Sequence, residues 1–312
     1  MGLEKNAAFS RSSCAAALLL MLLGLLLWGM PREKTVSPLL AEKEGWQMEK
    51  GAPLPEGEPV FLSRESLLQG TLLLVSPENP LPYDFPAPNT RDIRRMVGAY
   101  LPVREGAMLH EDAIYALCTM QFEFPLEHGI TFIRGALSHA QQEEWRRAAF
   151  DRFTRVYSLQ EALEKTLQQI PGGGESEHQT GYCMDLIMTG ILRLSGQDPL
   201  QYNETGQWLK ENLWKHGWIR RFSAMDAGCE NVHIRYVGKA HAAALQLLET
   251  DLESYLSLLR REGSVTIKQD GEIYCHIYCF PCPDSCYFPL PENARYEASA
   301  DNTGWAVIAL FP

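Results

Sequence analysis

The sequence contains no glycine-rich phosphate loop, no dinucleotide fingerprint and no internal repeat. These absences remove the common nucleotide-binding enzymes and the solenoid folds. Positive charge is scarce. Against 39 Asp and Glu stand only 28 Lys and Arg, a net charge of -11, and a chain that acidic is a poor partner for nucleic acid. Eight cysteines in 312 residues are too few for a disulfide-built miniprotein, yet enough for one or two bridges or a metal site. Disorder of the whole chain is excluded by a composition that is 46% hydrophobic and 21% charged. At about 150 residues per domain, the length allows one or two domains.

One long apolar run is present. Ser12 to Pro31 carries no charge, and Ala15 to Trp28 is almost purely aliphatic. Its length lies between a signal-peptide core and a full membrane span. Lys5 and Arg11 precede it, which favours a cytoplasmic N-terminus. Trp28, Gly29, Met30 and Pro31 offer no small-x-small cleavage site, and Cys14 lies on the wrong side for a lipoprotein. Residues 1–34 are therefore expected to be a cytoplasmic tip and signal anchor, single-pass in the cell membrane, with the rest of the chain extracytoplasmic. A cleaved signal peptide would export the same residues.

Eleven of the 19 prolines lie between Pro31 and Pro102. Residues 35–69 read as a proline-rich spacer, or else as an irregular extension packed on the domain. Thr71 to Val75 reads as a short buried strand, and Ile130 to Ile133 as another. Helical spacing covers Glu111 to Met120, a stretch from near Ser138, Thr205 to His216 closed by Gly217, and Ala240 to Leu259. Ser158 and Glu161 form a capping-box pair opening a further helix that stops before Pro171. Val265–Ile267, Ile273–Cys279 and Ala306–Leu310 read as strands. Strands and helices mix without regular βαβ alternation, so the fold class expected is α+β.

Two short segments carry the chemistry. Ser176 to Asp185 follows three consecutive glycines, Gly172 to Gly174, and Glu230 to Tyr236 lies some fifty residues on. Two histidines and an aspartate, His178, Asp185 and His233, supply three ligand types that suit zinc with a fourth position left for water. A glutamate three residues before the second histidine is placed to act as general base on that water. This is the chemistry of amide hydrolysis. His110, His128, His139, His216, His241 and His276 read as ordinary surface or core residues.

The text around these residues resembles the VanY-type D-alanyl-D-alanine carboxypeptidase family of zinc peptidases, relatives of D,D-dipeptidases and L,D-carboxypeptidases. Its S-x-H-x-x-G-x-A-x-D pattern is matched by Ser176, His178, Gly181 and Asp185, with Cys183 in place of the alanine. Its E-x-x-H-x-R-Y pattern is matched by Glu230, His233, Arg235 and Tyr236. The resemblance spans about residues 70–258. It implies a small antiparallel sheet bearing the zinc site, with helices packed on it. It also implies Zn2+ held by His178, Asp185 and His233, Glu230 as catalytic base, Ser176 near substrate, and Arg235 and Tyr236 in support. The activity implied is removal of the terminal D-Ala from peptidoglycan stem peptides. An L,D-carboxypeptidase or endopeptidase on the same polymer is the enzymatic alternative, and a catalytically silent wall-binding protein the non-enzymatic one. Neither nucleic acid nor nucleotide is an expected partner.

One departure bears on substrate. The family's S-G-Y-R-S…Q segment aligns with Arg134-Gly135-Ala136-Leu137-Ser138, with Gln141 in the glutamine slot. Leu137 thus stands where the family has the arginine that grips the terminal carboxylate. Arg134 and Gln141 are the candidate substrate contacts that remain. Residues 259–312 are expected to form a small β appendage. It holds Cys275, Cys279, Cys282 and Cys286, for which disulfides are favoured over a structural metal.

Overall fold

The computed structural model describes residues 39–126, 129–189, 198–222 and 231–312. The apolar run from Ser12 to Pro31 lies outside them, and no described helix is long and apolar enough to cross a membrane. Strands β1 (Leu39–Lys43), β2 (Trp46–Lys50) and β3 (Glu58–Leu62) come first, then the one-turn helix α1 (Arg64–Leu67). β4 (Thr90–Asp92), α2 (Ile93–Val97), β5 (Met108–His110) and α3 (Glu111–Glu123) lead into β6 (Ile130–Arg134). Next come α4 (His139–Phe153), α5 (Leu159–Gln169), β7 (Cys183–Met188), α6 (Glu204–Asn212), β8 (Trp218–Arg220) and β9 (Val232–Tyr236). α7 (Lys239–Leu248) and α8 (Leu252–Glu262) precede the closing strands β10 (Ser264–Gln269), β11 (Glu272–Pro281), β12 (Cys286–Leu290), β13 (Arg295–Ala300) and β14 (Trp305–Phe311).

Two antiparallel sheets organise the body formed by Leu39–Pro312. The inner sheet has the order β6-β7-β9-β8. Its strands alternate as two-residue periodicity requires. Ile130, Phe132, Met184, Leu186, Val232 and Ile234 point into one core with Ile114, Leu117 and Met120 of α3. Cys183, Asp185, His233 and Arg235 are left on the opposite face. The outer sheet has six strands in the order β1-β2-β10-β11-β14-β13. Helices α7 and α8 cover one of its faces through Ala243, Leu256 and Leu259, packed with Met48, Val265, Ile267 and Ile277.

The mixed α+β character matches the sequence reading, but the pieces are joined differently. The segment read as a spacer supplies β1, β2 and β3. Met48 of β2 pairs with Ile267 of β10 and is fully buried. The C-terminal strands therefore share one sheet with the N-terminal ones instead of forming a self-contained appendage. β3 pairs with β12 in a two-stranded ribbon, where Pro59 faces Pro289. Proline is tolerated there because a two-stranded ribbon leaves alternate backbone groups without ladder partners.

Leu72, Leu73 and Val75 are buried, yet Thr71 to Val75 is not a strand. Its carbonyls at Thr71 and Leu73 each accept a hydrogen bond from Arg235 Nη2 at 2.7 Å, so a side chain takes the place of a neighbouring strand. The predicted helix Ala240–Leu259 is two helices. Glu249 has φ +48°, and the Asp251 side chain caps α8 by accepting from the Ser254 N–H.

Candidate metal centre

The site is a row of side chains across the inner sheet. In the β6–β7–β9 register, Arg134 lies opposite Asp185, and Asp185 opposite His233. His178 comes from outside the sheet, on the single 3-10 turn Glu177–Thr180 that leads into β7. Gly181 ends this turn at φ +82°, and a Cβ there would lie 2.9 Å from that of Pro88, so a side chain would be both strained and crowded.

Three candidate donor atoms converge. Asp185 Oδ1 lies 2.7 Å from His233 Nδ1 and 3.2 Å from His178 Nε2. His178, Asp185 and His233 each offer one ligand atom, all within 4.8 Å of one another, the spacing of ligands around one small cation. The remaining ring nitrogens are also held. His178 Nδ1 is 2.7 Å from the Gly135 carbonyl oxygen, and His233 Nε2 is 3.2 Å from Glu177 Oε2. Such outer contacts fix tautomer and ring direction, as metal-binding histidines require. Gly135 can do this because it has no Cβ; one built there would lie 2.0 Å from the Met108 carbonyl oxygen.

A second triad, Glu177, Cys183 and His233, is equally close, but its electrostatics oppose a cation. Glu177 Oε1 already accepts from Arg235 Nη1 at 2.6 Å and Arg221 Nε at 2.8 Å. Two guanidiniums there repel a metal, so the Asp185 side of His233 is the better cation position. Burial disfavours the charged form of Glu177, yet the two arginines outweigh it and hold its carboxyl well below the usual range. Asp185 behaves likewise. Burial opposes its ionisation, and the flanking His178 and His233 lower its pKa nonetheless. His233 is raised well above its ordinary value because Asp185, Cys183 and Glu177 outweigh its burial. Surroundings that favour a proton on that imidazole also favour a metal cation in its place.

The other predicted residues divide. Arg235 is fully buried and ties β9 to Glu177 and to the Thr71–Leu73 segment, a supporting position. Tyr236 points the other way and packs against Trp218. Ser176 is buried beside the first histidine and its side chain makes no capping bond. Arg134 does not stand free to meet a substrate carboxylate. Its Nη1 donates to Asp185 Oδ2 at 2.8 Å, and its guanidinium lies 3.6 Å above the Trp145 ring. β6 ends at Arg134, so Leu137 lies beyond the strand. The Leu137 N–H donates to the His178 carbonyl at 3.1 Å.

Gln141 is exposed and caps α4, its Oε1 accepting from the Ser138 N–H at 2.8 Å. The buried glutamine is the next residue. Gln142 Nε2 donates to the Pro171 carbonyl at 2.7 Å, while its Oε1 has no partner among the described residues. Helical spacing back from Ala149 and Trp145 reaches 142, which was the available signal. Glu230 belongs to residues 223–230, outside the described ones. Glu177 and Arg221 carry no motif of their own. The signal for Glu177 was the alternation that buries Arg235 beside His233 and so demands an anion. Among the other histidines, His110, His216, His241 and His276 each pair with a nearby structural group.

Residues 132–239 match the family model for VanY, D-alanyl-D-alanine carboxypeptidase. They are similar to that family and form a VanY-like domain. A D-alanyl-D-alanine carboxypeptidase of Enterococcus faecium is 30% identical over 144 residues, which cover 45% of this chain and 45% of that protein. The chain thus spans less than half the length of that relative. A crystal structure of the vancomycin resistance D,D-dipeptidase VanXYg, in complex with a D-Ala-D-Ala phosphinate analogue, superposes with a TM-score of 0.65 at 19% identity. It covers 82% of this chain and 99% of that one, so the VanY-like domain and much of the outer sheet share its fold.

Proposed function

We propose that the VanY-like domain is a zinc D,D-carboxypeptidase that removes the terminal D-Ala from peptidoglycan stem peptides. The convergence of His178 Nε2, Asp185 Oδ1 and His233 Nδ1 carries this reading. The donor set, two imidazoles and a carboxylate, fits zinc with a position left open. A zinc ion bound there supplies a Lewis acid that polarises a scissile carbonyl and brings the pKa of water toward 7. The chain's own residues do the rest. Glu177 accepts the His233 Nε2–H, which leaves the Nδ1 lone pair facing the ligand cluster. The Gly135 carbonyl does the same for His178 through its Nδ1–H. Glu230 takes the proton of the attacking water and delivers it to the departing amine.

Mass spectrometry of defined tri-, tetra- and pentapeptide stems, incubated with the zinc-loaded protein, tests the reading. The expected product is loss of one D-Ala from the pentapeptide. Glu230→Ala should keep its zinc and lose about 10²–10⁴-fold in rate. Zinc binding without hydrolysis of any stem would favour the silent wall-binding alternative.

One observation favours a neighbouring reaction. Leu137 sits against the His178 backbone where a carboxylate-gripping arginine is expected, and Arg134 is engaged with Asp185. L,D-carboxypeptidase or endopeptidase cleavage of the same polymer follows if terminal-carboxylate recognition is weak. The same stem panel distinguishes them by product mass. We also propose that residues 12–31 anchor the chain in the cell membrane with the domain outside; protease accessibility in intact cells tests this.

A further inference from the structure

Four of the eight cysteines lie within residues 275–286, and the fold sorts them into two pairs. Cys275 and Cys279 point from β11 into the core shared with α7 and α8. Four residues apart on one strand, they are about 13 Å apart, well beyond the reach of a disulfide. Cys282 and Cys286 lie on the other side of the sheet, in the small core with Leu62, Tyr278, Phe288 and Ile308. They bracket the turn Pro283-Asp284-Ser285, by which the chain leaves β11 and enters β12, both are buried in that one core, and Cys282 Sγ lies 3.9 Å from the Asp284 carbonyl oxygen. The four sulfurs therefore do not form one cluster, and no metal-capable group among the described residues includes any of them.

We propose that Cys282 and Cys286 are a disulfide-forming pair that closes this turn, while Cys275 and Cys279 remain thiols. The oxidant is a small disulfide such as oxidised glutathione. The Cys282 thiolate attacks one glutathione sulfur, forms a mixed disulfide and releases one glutathione thiol. Cys286, losing its proton to solvent or to the departing thiolate, then attacks the Cys282 sulfur and releases the second glutathione. Two protein thiols are oxidised and one glutathione disulfide is reduced to two thiols. The Cys286 side chain holds the Cys282 thiol below its ordinary range, and Cys286 itself is raised by the same contact, which makes Cys282 the attacking group. Burial pushes the Cys279 thiol up to about 12 and the Cys275 thiol up as well, so both are poor nucleophiles.

The bridge would act on the ribbon behind the VanY-like domain. β12 pairs with β3, and β3 runs into α1 and the Thr71–Leu73 carbonyls that hold Arg235.

The full-length protein is equilibrated in oxidising glutathione buffer, denatured in excess alkylating agent, and cleaved without reduction before Asp284 and after aromatic residues. The expected result is one linked species joining the Cys282 and Cys286 fragments, with Cys118, Cys183, Cys275 and Cys279 alkylated. Alkylation of both Cys282 and Cys286, or linkage of either to another cysteine, overturns the proposal. So does native mass spectrometry showing a zinc ion that protects the thiols of Cys275, Cys279, Cys282 and Cys286 together. Hydrogen exchange gives a readout without substitution: residues 282–290 should exchange more slowly in the oxidised than in the reduced protein. Equal exchange in a sample proven to be bridged would remove the assigned effect on the ribbon. None of these results depends on peptide hydrolysis.

Discussion

Glu177 decides more than its position beside His178 implies. It is buried, accepts from two guanidiniums and fixes the second histidine. Glu177→Gln should leave that cluster with excess positive charge and cost about 3–5 kcal/mol, measurable by urea denaturation. The same variant should bind zinc about 10–100-fold more weakly in a chelator competition, because His233 loses its orienting acceptor. His241 gives a pH prediction. Burial lowers its imidazole to about 4 in the folded protein, against about 6.5 in the unfolded chain. Between those values the unfolded state binds the extra proton. Its contribution is therefore full above pH 6.5 and falls by about 3 kcal/mol on acidification to pH 4. Denaturation midpoints across that range should show the loss in the native chain and a smaller slope in His241→Asn. The ligand types at 178, 185 and 233 were legible because a local pattern carries them. Glu177 and Gln142 were not, because their roles come from partners 58 and 29 residues away.

Among the elements, the metal centre depends on how β6 ends. Gly135 passes close under β5, where the Ala136 N–H donates to the Met108 carbonyl at 2.7 Å. This approach presents the Gly135 carbonyl to His178. Gly135→Ala should cost about 1–3 kcal/mol by overpacking and should also lower zinc occupancy, read by metal analysis after dialysis. A destabilised variant with full zinc content would show that His178 does not need that carbonyl. Helix limits set by caps were readable, as at Ser138 and Ser158, each a complete capping box. The break at Glu249 was not, since the apolar spacing continues across it. Nor was the Thr71–Val75 conformation, since hydrophobicity specifies burial and not the guanidinium that satisfies its carbonyls.

For the whole molecule, the prolines between Pro31 and Pro102 obscured the larger architecture. Short strands among turns gave little periodicity, and their partners lie more than 200 residues away in β10 and β12. A chain beginning at residue 39 should unfold in one calorimetric transition. One beginning at residue 57 should lose Met48 and bare the β10 edge, and should self-associate in light scattering as exposed edges do.

That pairing also sets an order of events during synthesis. The VanY-like domain has its four-stranded sheet within residues 130–236 and can collapse once they emerge. The β1–β2 hairpin, among the first described residues to emerge, has no further strand partner until β10 follows it. Contacts of such long sequence separation form late and slowly. A nascent chain paused before residue 264 should therefore be sensitive to proteases at its leading end while residues 130–236 are already resistant.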